Sequence, residues 1–139
     1  MNRLTEQPLD LETLLAQTDD PECGALVVFG GTVRLDGGVS AIDYSAYAPL
    51  AEKALAEIER EALARFNVRH CRLVHRVGLL KLGELSVLVL VRAGHRGDAF
   101  EAARWAIDTL KQRVPVWKEE HYKDGRRTFV EGVPMQKTT

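Results

Sequence analysis

The stretch Leu110–Glu120, L-K-Q-R-V-P-V-W-K-E-E, is where a helix ends and an extended segment begins. Pro115 has no amide hydrogen to continue a helix, and its ring pushes Val114 toward extended geometry. Two primary amines, Lys111 and Lys118, flank that junction, with Trp117 beside the second. Upstream, His95 and Arg96 sit just before the helix that carries Lys111. These four residues suggest a cationic pocket for a phosphorylated small molecule.

The rest of the fold is read outward from this junction. Backward, Asp98–Arg113 is a long helix whose predicted buried stripe is Phe100, Ala103, Ile107 and Leu110. Asp98 and Glu101 have the D-x-x-E form of a capping box. Forward, a hairpin is expected after Val116, turning at Asp124-Gly125 and ending near Val130. Glu84–Ala93 is nearly all apolar and reads as the central strand of a sheet. Val68–Val77 alternates as another strand, and Pro49–Phe66 is a helix with Ala51, Leu55, Ile58 and Ala62 on one face. Gly24–Arg34 reads as a buried strand in which Gly30-Gly31 marks a bulge or a close backbone approach. A turn at Asp36-Gly37-Gly38 leads into an antiparallel strand, Val39–Tyr47. Residues 1–23 hold a short helix and a turn at Asp19–Pro21. The order β-β-α-β-β-α-β-β after a short helix is α+β. It predicts a mixed or antiparallel sheet with two long helices packed on it and a C-terminal β-hairpin, in a single domain over 1–139.

Composition bounds the function. The chain has 139 residues, with 45% apolar and 28% charged side chains and a net charge of −1. That is an ordinary globular composition, and the charge gives no reason to expect nucleic acid as a partner, so any cationic site must be local. Cys23 and Cys71 make no metal-like pattern, and Cys71, alternating with Leu73, reads as a buried thiol. A reducing, cytoplasmic location is the expectation. The N-terminus has no signal-peptide core, and no run is long enough to span a bilayer, so no membrane association is expected.

Each candidate residue has a plain alternative. His95-Arg96 precedes a helix N-terminus, where free N–H groups and the dipole attract anions, and Arg96 can fork onto a phosphate; on these two residues alone a surface loop with a solvated Arg and an incidental His is the favoured reading. Lys111 near a helix C-terminus complements the dipole with no further role. Lys118 is different, because alternation puts it on the side of Val116 and Val114, opposite Trp117. Burial there, beside other cations, would lower its pKa and make a neutral amine available. Arg34 follows Gly30-Gly31-Thr32, where the glycines would let a ligand approach and Arg34 would supply charge; an edge arginine ending a strand is the alternative. His70, His75 and His121 form no ligand pattern with one another or with carboxylates, so no metal is expected.

Four blocks of the chain, in order, resemble the large, catalytic subunit of molybdopterin synthase. They are F-G-G-T-V-R at Phe29–Arg34, E-K-A-L-A-E-I at Glu52–Ile58, H-R-G-D-A-F-E-A at His95–Ala102, and A-I-D-T-L-K-Q-R-V-P-V-W-K-E-E at Ala106–Glu120. The resemblance runs from about Gly24 to Gly132 and is most specific in the last block. It implies an α/β hammerhead-like fold with an extra subdomain. It implies conversion of cyclic pyranopterin monophosphate to molybdopterin, a sulfurtransferase step in molybdenum cofactor biosynthesis, with no bound cofactor. The sulfur would arrive as a thiocarboxylate on the C-terminal glycine of a small ubiquitin-like carrier. The large subunit would form a homodimer within a heterotetramer. By family position Lys111 and Lys118 match the active-site lysines. Arg34, His95 and Arg96 match phosphate and ring contacts, with Thr32, Val33, Glu119 and Glu120 lining the same pocket and the His-Arg pair reaching across the dimer in some members. The chain departs from the common family pattern at Thr32, Gly94 and Phe129. No candidate catalytic cysteine is evident, which fits sulfur carried on another protein. Two other readings stand beside this one: a non-catalytic α+β module that binds a phosphorylated ligand, and a structural subunit whose helix-to-strand junction is a protein interface.

Overall fold

The computed structural model describes residues 2–130; Glu131 and Gly132, the end of the stretch that carries the family resemblance, lie outside them. The order of elements is β1 (Leu4–Thr5), α1 (Leu11–Gln17), β2 (Ala25–Thr32), β3 (Val39–Ala46), α2 (Ala48–Arg65), β4 (His70–Arg76), β5 (Gly78–Lys81), β6 (Leu85–Ala93), α3 (Arg96–Arg113), β7 (Val116–Tyr122) and β8 (Arg127–Val130). The fold is α+β, with two sheets where the sequence suggested one. The first sheet has the order β1-β4-β6-β2 and the second β5-β3-β7-β8. Among the described residues only β1 and β4 run parallel; the other pairs are antiparallel.

β6 explains why one strand is apolar throughout. Val87, Val89 and Val91 face α2 and α3, where they meet Leu55, Ile58, Ala103 and Leu110. Leu88 and Leu90 face the other way and pack with Leu14 of α1 and Val74 of β4. A strand covered on both faces loses the polar alternation of a half-exposed one. The second sheet has its own small core of Val33, Val39, Ile42, Tyr44 and Leu80.

Two short strands escaped the sequence reading. β1 has two residues, and side chains of α2 hold it there. Arg3 Nε and Nη2 donate to Glu59 Oε1 at 3.0 and 2.9 Å, and the Leu4 N–H donates to Glu52 Oε2 at 2.9 Å. Glu59 Oε2 also accepts from the Leu73 N–H at 2.9 Å, so one buried carboxylate joins β1, α2 and β4. β5 follows β4 after Val77 alone and crosses to the second sheet.

Helix α3 corrects two expectations. Its N-cap position is His95, with no side-chain capping bond, and Asp98 lies inside the first turn, so Asp98 and Glu101 are not a capping box. The buried face is Ala99, Ala102, Ala103, Ala106, Thr109 and Leu110, while Phe100 is 61% exposed. Ala103 and Leu110 are buried as expected and Ile107 packs against the core, so of the expected stripe only Phe100 is misplaced. Small alanines let the helix lie close to the first sheet, and a hydrophobicity pattern weights the large Phe100 above Ala99 beside it. At Gly31 the strand carries the expected bulge, and a Cβ there would stand 2.7 Å from Val87 Cγ1. The crowding comes from β6 and accounts for the glycine without a ligand.

Candidate active site

α3 follows β6 directly and packs back along the first sheet, so its C-terminal turn returns to the level where β6 begins and β4 ends. β7 then enters the second sheet against β3. Four elements meet at this corner. Lys111 comes from the last turn of α3, Lys118 from β7, Tyr44 from β3 and His75 from β4.

The register places Lys118 opposite Tyr44 and Glu120 opposite Ile42. Lys118 and Glu120 thus share the inner face of the second sheet, as alternation from Val116 requires. The pKa of Lys111 is lowered, first by desolvation and then by the positive charge of Lys118, although the side chain as a whole is exposed, so the desolvation belongs to the part of it that lies against the corner. Both charges also reach His75. That ring is buried, at 4% exposure, and its pKa falls to about 4, first through burial and then through Lys111 and Lys118, against a raising contribution from its bond to the Arg76 carbonyl. Tyr44 meets His75 edge-on, with ring centroids 5.3 Å apart. Burial raises the Tyr44 pKa, and a hydrogen bond with Ser86 opposes the rise. Ser86 Oγ donates to the Gly31 carbonyl at 3.2 Å.

The other candidates are distributed as follows. His95 and Arg96 are exposed at the opposite end of α3. From Arg96 to Lys111 is 15 helical steps, or about 22 Å at about 1.5 Å per residue. One chain does not bring these groups together. Arg34 is 83% exposed and pairs with Asp36 at 3.6 Å. Thr32 is exposed, and Val33 is buried in the core of the second sheet. Glu119 is separated from Glu120 by the pleat and lies on the outer face. There, ligand-capable atoms of Asp43, Glu119 and His121 lie within 4.8 Å of one another, with His121 Nε2 at 2.8 Å from Glu119 Oε1. This corrects the expectation that His121 has no carboxylate grouping; its partners come from two strands whose pairing spacing alone did not reveal.

Sequence reasoning missed His75, Tyr44 and Ser86. A signal existed for the first, since Cys71, Leu73 and His75 alternate on one face of β4. Tyr44 and Ser86 reach the corner only through the contact between the two sheets.

A two-sheet α+β domain with paired lysines at a helix-to-strand junction defines the class, and comparison with known proteins gives the family. Residues 4–113 match the family model described as MoaE protein. The chain is 42% identical over 131 residues, covering 91% of this chain and 79% of the relative, to the molybdopterin synthase catalytic subunit of Nostoc sp.. The crystal structure of molybdopterin synthase from Staphylococcus aureus superposes with a TM-score of 0.87 at 34% identity, covering 93% of this chain and 96% of that one. A structure from Helicobacter pylori, described as a protein–protein complex of subunits 1 and 2 of molybdopterin-converting factor, shares the fold at a TM-score of 0.80 and 21% identity, covering 98% and 95% of the two chains. The chain belongs to the MoaE family.

Proposed function

We propose that this chain is the catalytic subunit of a molybdopterin synthase. It would convert cyclic pyranopterin monophosphate to molybdopterin with sulfur from the C-terminal thiocarboxylate of a small ubiquitin-like carrier. Family membership supports the reaction, and the corner formed by Lys111 and Lys118 is the observation that carries the site. An amine with a depressed pKa exchanges its proton nearer neutral pH than a free lysine does, which suits acid–base work. Lys111 meets the carrier's thiocarboxylate end and polarises it, or assists attack at the pterin side chain. Lys118 steadies the negative charge that develops or passes a proton.

The phosphate side of the pocket requires a second copy. Arg96 and His95 stand a helix length from the lysines of their own chain, so in this reading they serve the lysines of a homodimer mate. One carrier per large subunit makes a heterotetramer. Arg34, whose pairing to Asp36 is long, is available for the same anion. The family positions imply Thr32, Val33, Glu119 and Glu120 beside it; of these Val33 lies in the second-sheet core and Glu119 on the outer face. No bound cofactor enters this reaction. A cytoplasmic location belongs to the same reading, and no helix among the described residues is long and apolar enough to cross a membrane.

The test is turnover with a thiocarboxylated carrier and the pyranopterin, read as dithiolene product. Lys111→Ala should abolish product while the protein stays folded; an active Lys111→Ala enzyme refutes the role. Ligand binding without product by the wild type would favour the non-catalytic module. Tight carrier binding with no pterin binding would favour the interface protein.

A further inference from the structure

We propose that Asp43, Glu119 and His121 form a binding site for one divalent transition-metal cation, zinc foremost, on the outer face of the second sheet. The site stands apart from the lysine corner and does not depend on the reaction proposed above.

Strand pairing makes the placement. Asp43 of β3 is the register partner of Glu119 of β7, and His121 follows Glu119 by two residues, so all three side chains leave the sheet on the same side. Ile42 and Tyr44, on either side of Asp43, turn inward to the core of the second sheet, which makes that side the outer one. One ligand-capable atom from each of the three residues lies within 4.8 Å of the other two. All three residues are half-buried, and paired strands hold them where loops would let them drift.

The local charge balance is short of a cation. Like charges directly opposite one another on a sheet face repel. Asp43 and Glu119 stand in that relation. Glu119 pairs with His121 alone, and the Asp43 carboxylate has neither an ion pair nor a hydrogen bond among the described residues. The cations on the same face of the flanking strands are Lys81 of β5, register partner of Ala41, and Arg127 of β8, register partner of His121. Among the described residues neither makes an ion pair with Asp43 or Glu119.

The donor set selects the kind of cation. Calcium and magnesium favour shells of six or more oxygens, whereas an imidazole nitrogen suits zinc and its neighbours. His121 Nε2 lies 2.8 Å from Glu119 Oε1. An ionised carboxylate only accepts, so Nε2 carries the hydrogen in the metal-free pair. On binding, that hydrogen moves to Nδ1, and the freed Nε2 lone pair faces the ion beside the two carboxylates. Ligand atoms about 2.1 Å from a tetrahedral zinc stand about 3.4 Å apart, so side-chain torsions alone close the present spread. Three protein ligands leave a fourth position for water. A bound ion ties β3 to β7 on the reverse of the strand that carries Lys118.

The test uses zinc alone as the probe, added to the full chain after a chelator has stripped it of metal. By titration calorimetry the wild type should take up one ion per chain. His121→Gln and Asp43→Asn keep roughly the shape of the residues they replace. Each should weaken uptake by at least about a hundredfold, because losing even an outer partner of a metal ligand costs about 10–100-fold. A second readout needs no variant. In an NMR titration of the wild type, the ring signals of His121 should move and stop moving at one equivalent, while those of His70 and His95 stay in place. Movement at His70 or His95 in place of His121, wild-type affinity in either folded variant, or no saturable uptake overturns the site.

Discussion

In the proposed reaction Lys111 and Lys118 do the chemistry, and their coupling is a measurable quantity. Part of the depression of the Lys111 pKa comes from the Lys118 charge, so Lys118→Ala should move the Lys111 titration upward, toward an ordinary lysine. Amine titration by NMR checks this; an unmoved Lys111 would mean the two side chains do not meet. His75 gives a second signature in acid. Its native pKa is about 4 against 6.5 when free, so between those values the unfolded chain binds a proton that the native chain does not. Stability from this residue is complete above pH 6.5 and is lost as the pH falls to 4, by about 3 kcal/mol. Denaturation midpoints measured across that window should fall more steeply for the wild type than for His75→Phe. Both lysines were legible in the sequence because Pro115 marks the junction between them. His75 was not, because a histidine in an alternating strand acquires its meaning from what the neighbouring helix and sheet bring to it.

At the scale of elements, the two long helices and the longer strands followed from periodicity, while the shortest strands did not. β1 exists because Glu59 of α2 receives the side chain of Arg3 just before it and Glu52 receives the Leu4 N–H. Such a strand has no pattern of its own to read. Glu59→Ala should therefore cost about 2 kcal/mol, since the Leu73 N–H loses its buried acceptor and β1 loses its tether. Urea denaturation measures it, and a change below about 0.5 kcal/mol, the usual range for surface substitutions, would show that the carboxylate is not structural. The division into two sheets was likewise hidden. Strands β4 and β5 are separated by Val77 alone, yet belong to different sheets. Hydrophobic alternation reports which face is buried and carries no information on which sheet buries it. The misplacing of Phe100 on α3 has a similar origin, since most of that helix's buried positions are alanines.

For the whole molecule, the decisive feature is the length of α3. It holds Lys111 at one end and the His-Arg pair at the other, so one chain does not bring these groups together, and the proposed site takes them from two chains. The motifs were legible as separate blocks; the distance between them was not, because it is set by an uninterrupted helix of 18 residues. Mixing two inactive proteins, Lys111→Ala and Arg96→Ala, tests this directly. In a mixed dimer one site lacks both groups and the other has both intact. Random exchange of subunits should therefore restore about a quarter of wild-type dithiolene formation, as expected for a two-fold symmetric dimer. If the mixture stays as inactive as either protein alone after exchange is shown to be complete, the shared site does not exist.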